Sequence, residues 1–301
     1  MSTIERVGEL LEPIEPSVPR NFPVDAEGIK RSPIDAAVQP RWRDDEEPRS
    51  QDTTTSKHSG ESGKSSPLLE ISREHLHRQS MVTPDGERTQ NSESFRRIKQ
   101  QILLNISKSK AGPLSNIVLV TSAMPGEGKT FCAVNLAISI ALEMNKTVLL
   151  VDADVAKPSV PRALGFKAGR GLLDVLVDSS IDLADVLYKT DVGKLTILTA
   201  GTPNPRATEL LASDAMRKLI HELAERYQDR VIIFDSPPLL AASEAGVLAS
   251  QVGQIIMVVE AGKTSELTLK TALGRIESNT LTSLLLNKGS GPAGDYYGAY
   301  A

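Results

Sequence analysis

The stretch SAMPGEGKT, residues 122–130, follows a run of β-branched residues, NIVLVTS (116–122), and opens an apolar run of helical character, KTFCAVNLAISIALEMN (129–145). A buried strand, a glycine-rich turn and a helix in direct succession are the start of a parallel α/β sheet. The spacing is that of a phosphate-binding loop, G-x-x-x-x-G-K-[ST], with Ala123 where the first glycine usually stands. Gly126 and Gly128 let the backbone bend so that successive N–H groups point inward at phosphate oxygens. The helix that follows adds its positive N-terminal end. Lys129 then reaches the β- and γ-phosphates, and Thr130 is a Mg²⁺ ligand. The competing reading is an ordinary strand–helix turn, and the registered GKT between strand and helix argues against it.

The pattern continues after the loop. TVLLVDAD (147–154), KLTILTAG (194–201), RVIIFDSPP (230–238), QIIMVVEAG (254–262) and LTSLLLNK (281–288) read as strands. ATELLASDAMRKLIHELAERYQ (207–228) reads as one or two helices, and TSELTLKTALGRIES (264–278) as another. Upstream, NSESFRRIKQQILLNISKSK (91–110) carries Phe95, Ile98, Ile102 and Leu103 at helical spacing, with Asn91 or Ser92 as its cap. Non-alternating strands between helices predict a P-loop-type α/β domain over 91–289: a mostly parallel sheet with helices on both faces.

The rest of the chain differs in composition. Half of the 18 prolines fall before residue 91, among runs such as PRWRDDEEPRSQDTTTSKHSGESGKSSP. Such a segment buries too little apolar surface to offset its chain entropy, so residues 1–90 are expected to be a disordered arm. Residues 290–301 are expected to be a flexible tail. A net charge of −4 gives no electrostatic case for nucleic acid, and the single cysteine, Cys132, fits a reducing compartment. The acidic N-terminus has no signal-peptide run, and no stretch reaches the ~20 apolar residues of a membrane span. A cytoplasmic protein that reaches the inner membrane face through a partner is the expectation. His58, His75, His77 and His221 lack metal-ligand spacing, and Trp42 is read as an incidental residue of the arm.

Three acids end strands: Asp152 and Asp154 after VLLV, and Asp235 after VIIF. Ligands of open α/β sheets bind beyond the strands' carboxyl ends, so the three should converge beside the phosphate loop. Together they make sense only with a metal to offset their charge. Asp235 is then the Walker-B group on Mg²⁺. Of Asp152 and Asp154, one holds the metal site and the other accepts a proton from an incoming hydroxyl. Asp152 is the preferred base and Asp154 the metal support, although residue type alone leaves the choice open. Asn287, just past the last strand, has an amide suited to a base edge.

These motifs resemble those of the cytoplasmic tyrosine kinases of bacterial exopolysaccharide systems, in the form whose membrane activator is a separate protein. They are most similar to the variant beside exosortase-type gene clusters. The resemblance runs over about 90–301. SFRRIKQQIL is similar to the family's self-association helix, with Glu93, Arg96 and Lys99 in the key places. SAMPGEGKT resembles its Walker A loop, VLLVDADVAKPS its second aspartate motif, GTPNPRATELLAS its Pro-Asn-Pro segment and VIIFDSPPLL its Walker B. Two positions depart: Ala156, followed by Lys157, replaces the usual arginine, and Glu244 replaces the usual aspartate after Pro-Pro.

The resemblance implies ATP with Mg²⁺, held by Gly126, Glu127, Gly128, Lys129, Thr130 and Asn287. It implies catalysis by Lys129, Asp152 and Asp154, with Thr130, Asp154 and Asp235 on the metal. It further implies a ring of like chains, each phosphorylating a neighbour's tail, a membrane co-polymerase as activator, and control of polysaccharide polymerisation or export. The tail GSGPAGDYYGAYA carries three of the chain's 5 tyrosines, Tyr296, Tyr297 and Tyr300, free of packing duties. Each phosphate there adds about −1.5 to −2 charges, and the repulsion is expected to release the tail and dissolve the ring. The nearest alternatives are a partitioning or septum-type switch ATPase, which usually has an early lysine in the loop that SAMPGEGKT lacks, and a nucleotide-gated adaptor of a membrane partner.

Overall fold

The structure is a computed structural model that describes residues 68–289 without 87, 109, 111, 227–228 and 278–279. The arm up to residue 67 and the tail 290–301, with its three tyrosines, lie outside the described residues.

The strands are β1 (Leu68–Leu69), β2 (Ile117–Ser122), β3 (Thr147–Asp152), β4 (Leu187–Thr190), β5 (Leu195–Leu198), β6 (Arg230–Asp235), β7 (Gln254–Glu260) and β8 (Leu281–Asn287). Among the described residues they form one sheet in the order β1-β4-β5-β3-β6-β2-β7-β8. Every pairing is parallel except β4 with β5. The helices are α1 (Arg73–Arg78), α2 (Gln90–Ser107), α3 (Lys129–Ala141), α4 (Val160–Leu164), α5 (Leu172–Val177), α6 (Leu183–Val186), α7 (Ala207–Leu211), α8 (Asp214–Arg226), α9 (Ser243–Ala249) and α10 (Glu266–Leu273).

Alternate residues of each central strand serve opposite cores, which is why these strands read as unbroken apolar runs. Ile117, Leu119, Leu149, Val151, Ile232 and Phe234 face one core, which takes in residues of α5 and α7–α10. Val118, Val120, Val148, Leu150, Val231 and Ile233 face the other, against α1–α4. Helix α3 is buried along its whole length from Cys132 to Ala141, pressed between the sheet and α2. The expected two-sided sheet is therefore present, and 207–228 resolves into two helices.

Two local readings change. Helix α2 is capped by Thr89, whose hydroxyl accepts from the Ser92 N–H, so Ser92 is the reciprocal partner and not the cap. Residues 68–83, placed in the arm by composition, belong to the domain. β1 pairs with β4, Ser72 caps α1, and Ile71, Leu76, Met81 and Val82 are all buried in the α1–α4 core. The Val82 N–H donates to Asn135 Oδ1 on α3. Four apolar side chains scattered among charges show no clear period, yet together they join the core on that side of the sheet. Leu76 is 0% exposed, so Leu76→Ala should cost about 2–5 kcal/mol in equilibrium urea unfolding. A cost near zero would mean that this segment only lies against the domain.

Candidate active site

Three strand ends meet at the crossover point between β3, β6 and β2. Asp152 and Asp235 are register partners on adjacent strands, so their side chains leave the same face of the sheet. Both are 0% exposed, and Asp154, two residues beyond β3, is 5% exposed. The phosphate loop curls over them. Gly126 and Gly128 have φ of +87° and +97°, a left-handed conformation that side chains resist. Ala123 is buried at the loop's start, its carbonyl accepting from the Leu240 N–H at 3.2 Å. From the first turn of α3, Lys129 Nζ reaches Asp154 Oδ2 at 3.0 Å.

The aspartates are differently supported. Asp152 Oδ2 accepts from the Ser159 and Val160 N–H groups, each at 3.0 Å, while its Oδ1 has no partner. Asp154 Oδ1 accepts from the Lys157 N–H at 3.2 Å, so the lysine of the departing motif closes the turn with its backbone. Neither oxygen of Asp235 has a hydrogen-bond partner of good geometry, although the Thr130 hydroxyl approaches closely enough to lower its carboxyl. Burial raises the Asp152 carboxyl to about 7, against the two N–H donors that lower it. Burial also raises Asp235 to about 8; the adjacent Asp152 adds to this, and Lys129 and Thr130 only partly counter it. Three buried, orphaned carboxylate oxygens next to a lysine fit a cation that completes the site. No cluster of three or more His, Cys, Asp or Glu suited to a metal occurs among the described residues. That donor set suits Mg²⁺, which takes one or two carboxylates and finds its other ligands in water and phosphate.

Two of the residues expected at the nucleotide also brace the loop. Glu127 is 3% exposed, and its carboxylate accepts from the Met124 N–H at 2.8 Å and from the Thr264 hydroxyl. Its side chain is spent inside the protein, leaving only its backbone for phosphate. Asn287 Nδ2 donates one of its hydrogens to the Glu127 carbonyl at 2.9 Å. Lys288, which sequence reasoning passed over, donates to the Gly126 carbonyl at 2.7 Å and pairs with Glu260 at 3.3 Å. It does so from a left-handed φ of +57°. The end of β8 thus holds two consecutive loop carbonyls. A Cβ on Gly128 would lie 2.0 Å from Asn287 Nδ2. Gly128→Ala should therefore displace the β8 end and weaken MgADP binding at least about tenfold in a fluorescent-nucleotide titration. Unchanged affinity would show that this clamp is dispensable.

The other predicted residues are placed as follows. Glu93 and Arg96 pair with each other on α2 at 3.0 Å and remain partly exposed. Lys99 turns inward, 6% exposed, onto Glu143 of the same chain. Glu244 accepts from the Thr208 hydroxyl at 2.6 Å, which holds its carboxyl below the usual range and ties α9 to the Pro-Asn-Pro segment.

A strand–loop–helix phosphate cradle over paired strand-end aspartates defines a P-loop nucleotide-binding protein. In keeping with this, a family profile described as "ParA: NUBPL iron-transfer P-loop NTPase" matches residues 113–241. The chain is 34% identical over 201 residues to tyrosine-protein kinase YwqD of Bacillus subtilis (strain 168), covering 66% of this chain and 81% of that protein. It is 29% identical over 190 residues to the putative tyrosine-protein kinase CapB of Staphylococcus aureus, covering 63% and 80%. Among solved structures, the chimerical protein CapA2B2 superposes with a TM-score of 0.60 at 25% identity, over 73% of this chain and 93% of that one. The kinase domain of the Escherichia coli tyrosine kinase ETK gives 0.59 at 25% identity, over 77% and 92%. The chain belongs to the bacterial tyrosine-protein kinases. No helix among the described residues is long and apolar enough to cross a membrane.

Proposed function

We propose that this chain transfers the γ-phosphoryl group of MgATP to Tyr296, Tyr297 and Tyr300 on the tail of a neighbouring copy. In this reading it serves a membrane-bound co-polymerase in exopolysaccharide assembly. The observation that carries the reading is the pair of register-matched, buried aspartates with three orphaned oxygens beside Lys129.

The roles follow from the donors. Lys129 neutralises phosphate charge, exchanging its bond to Asp154 for phosphate oxygens. Thr130 and Asp235 hold Mg²⁺, with Asp154 in support. When bound, the metal offsets the charge of the phosphates and the carboxylates together. Asp152 Oδ2 is fixed by two N–H donors, which orients the free Oδ1 as the proton acceptor. The tyrosine oxygen bonds to the γ-phosphorus as the bond to the β,γ-bridging oxygen breaks. ADP leaves with that electron pair, and the hydroxyl proton passes to Asp152. Ring contacts through α2 fall to Glu93 and Arg96, since Lys99 is engaged within the chain.

Asp152→Asn tests the assignment. Tail phosphate, read by site-resolved mass spectrometry with and without the cytoplasmic segments of a candidate membrane partner, should fall at least about a hundredfold. MgADP affinity should be retained. Undiminished phosphorylation would remove Asp152 from the role of base and leave Asp154 as the candidate.

A further inference from the structure

Among the described residues only Ser80 and Lys288 carry a side chain at positive φ, and Lys288 does so directly beside the phosphate loop. We propose that Lys288 is a positioning residue for the nucleotide. Its ammonium turns N–H groups of the loop toward the phosphates, and its strained backbone is kept for that purpose. The inference rests on the reading of this loop as the MgATP site and does not involve the tyrosine tail.

The contact acts through peptide geometry. Lys288 Nζ donates to the Gly126 carbonyl at 2.7 Å, and Asn287 Nδ2 donates to the next carbonyl, that of Glu127, at 2.9 Å. No peptide bond among the described residues is cis, and in a planar trans unit the C=O and the N–H point opposite ways. Holding these two carbonyls on the β8 side therefore sends the Glu127 and Gly128 N–H groups the other way, as a phosphate cradle requires. Gly126 and Gly128 bring no side chain of their own to fix these units, so the fixing comes from outside. An ammonium at the carbonyl end also polarises the unit and makes its N–H a stronger donor.

Lys288 is itself held in place. Glu260 and Asn287 are register partners at the ends of β7 and β8, which brings the residue after Asn287 next to Glu260. Lys288 Nζ lies 3.3 Å from Glu260 Oε1, and Glu260 also pairs with Lys263. The Glu260 N–H donates to the Thr264 hydroxyl at 3.1 Å, and that hydroxyl donates to the Glu127 carboxylate. Glu260 thus serves both supports of the loop, Lys288 through its side chain and Thr264 through its backbone.

The fold gains little from the arrangement. The Lys288 side chain is 47% exposed, and an ion pair so open to solvent adds little stability. A left-handed backbone at a residue with a side chain carries a cost that glycine avoids, and the neighbouring residue, Gly289, shows that the strand end admits glycine. Strain held without a return in stability points to a residue kept for function. Lysine meets the need because its long stem carries a cation from the strand end to the loop.

The test compares full-length Lys288→Ala, Lys288→Gly and Lys288→Arg with the wild type in MgADP titration, thermal melts without nucleotide, and ATP turnover. Alanine and glycine both lack the ammonium, so each should raise the MgADP Kd at least about tenfold, the two agreeing within about threefold. The melts should separate them, glycine above alanine, because glycine relaxes at this φ. Arginine keeps a charged donor and should stay within about threefold of the wild-type affinity. In turnover the loss should fall on the KM for ATP and not on kcat, since the loop grips the phosphates alike before and during transfer. If affinity instead follows the melting temperature, with glycine binding much better than alanine, Lys288 is merely structural and the proposal fails. It fails also if alanine binds MgADP as the wild type does. A wild-type chain that binds no MgADP sinks the reading of the loop and this proposal with it, whereas the other failures leave that reading standing.

Discussion

Lys129→Met should abolish phosphotransfer and loosen the fold at the same time. Lys129 is the partner of Asp154 at 3.0 Å, both largely shielded from water. Removing it leaves a buried carboxylate beside Asp152 and Asp235 with no cation to answer it. Breaking a buried pair in this way costs on the order of 3 kcal/mol, because the survivor keeps its desolvation penalty. Loss of the charge that stabilises the transferring phosphoryl group should lower the rate by on the order of 10²–10³ or more. Urea unfolding of the apo protein reads the first effect, and tail phosphate reads the second. A variant as stable as the wild type would mean that the Lys129–Asp154 pair contributes nothing to the fold.

Asp235→Asn should separate stability from activity in the opposite sense. Its carboxylate is buried without a partner and raised to about 8 from an ordinary 3.8, first by burial and then by Asp152. Between these values the folded chain binds more protons than the unfolded chain. Stability is therefore greatest below about pH 4 on this account, and it falls as pH rises toward 8. Asp152, raised to about 7, acts with the same sign. The melting temperature of the nucleotide-free protein should drop across that window. Asn at 235 should flatten the drop and raise the melting temperature at its upper end, while removing activity. MgADP should flatten it in the wild type, since a bound cation favours the ionised carboxylates. Thermal melts across the window, with and without MgADP, check this; a level wild-type profile would refute it. The site is then a place where the fold gives up stability for function, as buried unpaired charge commonly indicates.

The parts legible in the sequence are those whose pattern is local. β2, the loop and α3 are contiguous, so their order alone places Lys129 and Thr130. The buried runs ending in Asp152 and Asp235 announce strands whose ends line up in a parallel sheet. Other features depend on contacts between distant segments. Nothing in LLEISREHLHRQSMV signals that Leu76 and Met81 will join the core on the α1–α4 side of the sheet, because their spacing fits neither strand nor helix for long. Glu127 looks like a loop residue free to meet nucleotide, and only the fold brings Thr264 to its carboxylate. Lys99 lies one turn from Arg96, and only the position of α3's end turns it toward Glu143.

The most direct test follows the γ-phosphoryl group itself. In a single turnover with γ-labelled ATP and Mg²⁺, at high protein concentration and with candidate activator segments present, the label should move to Tyr296, Tyr297 or Tyr300. It should fail to do so in Lys129→Met. If the label appears only as inorganic phosphate while all three tyrosines stay bare, the chain works as a switch ATPase and the proposed transfer is wrong.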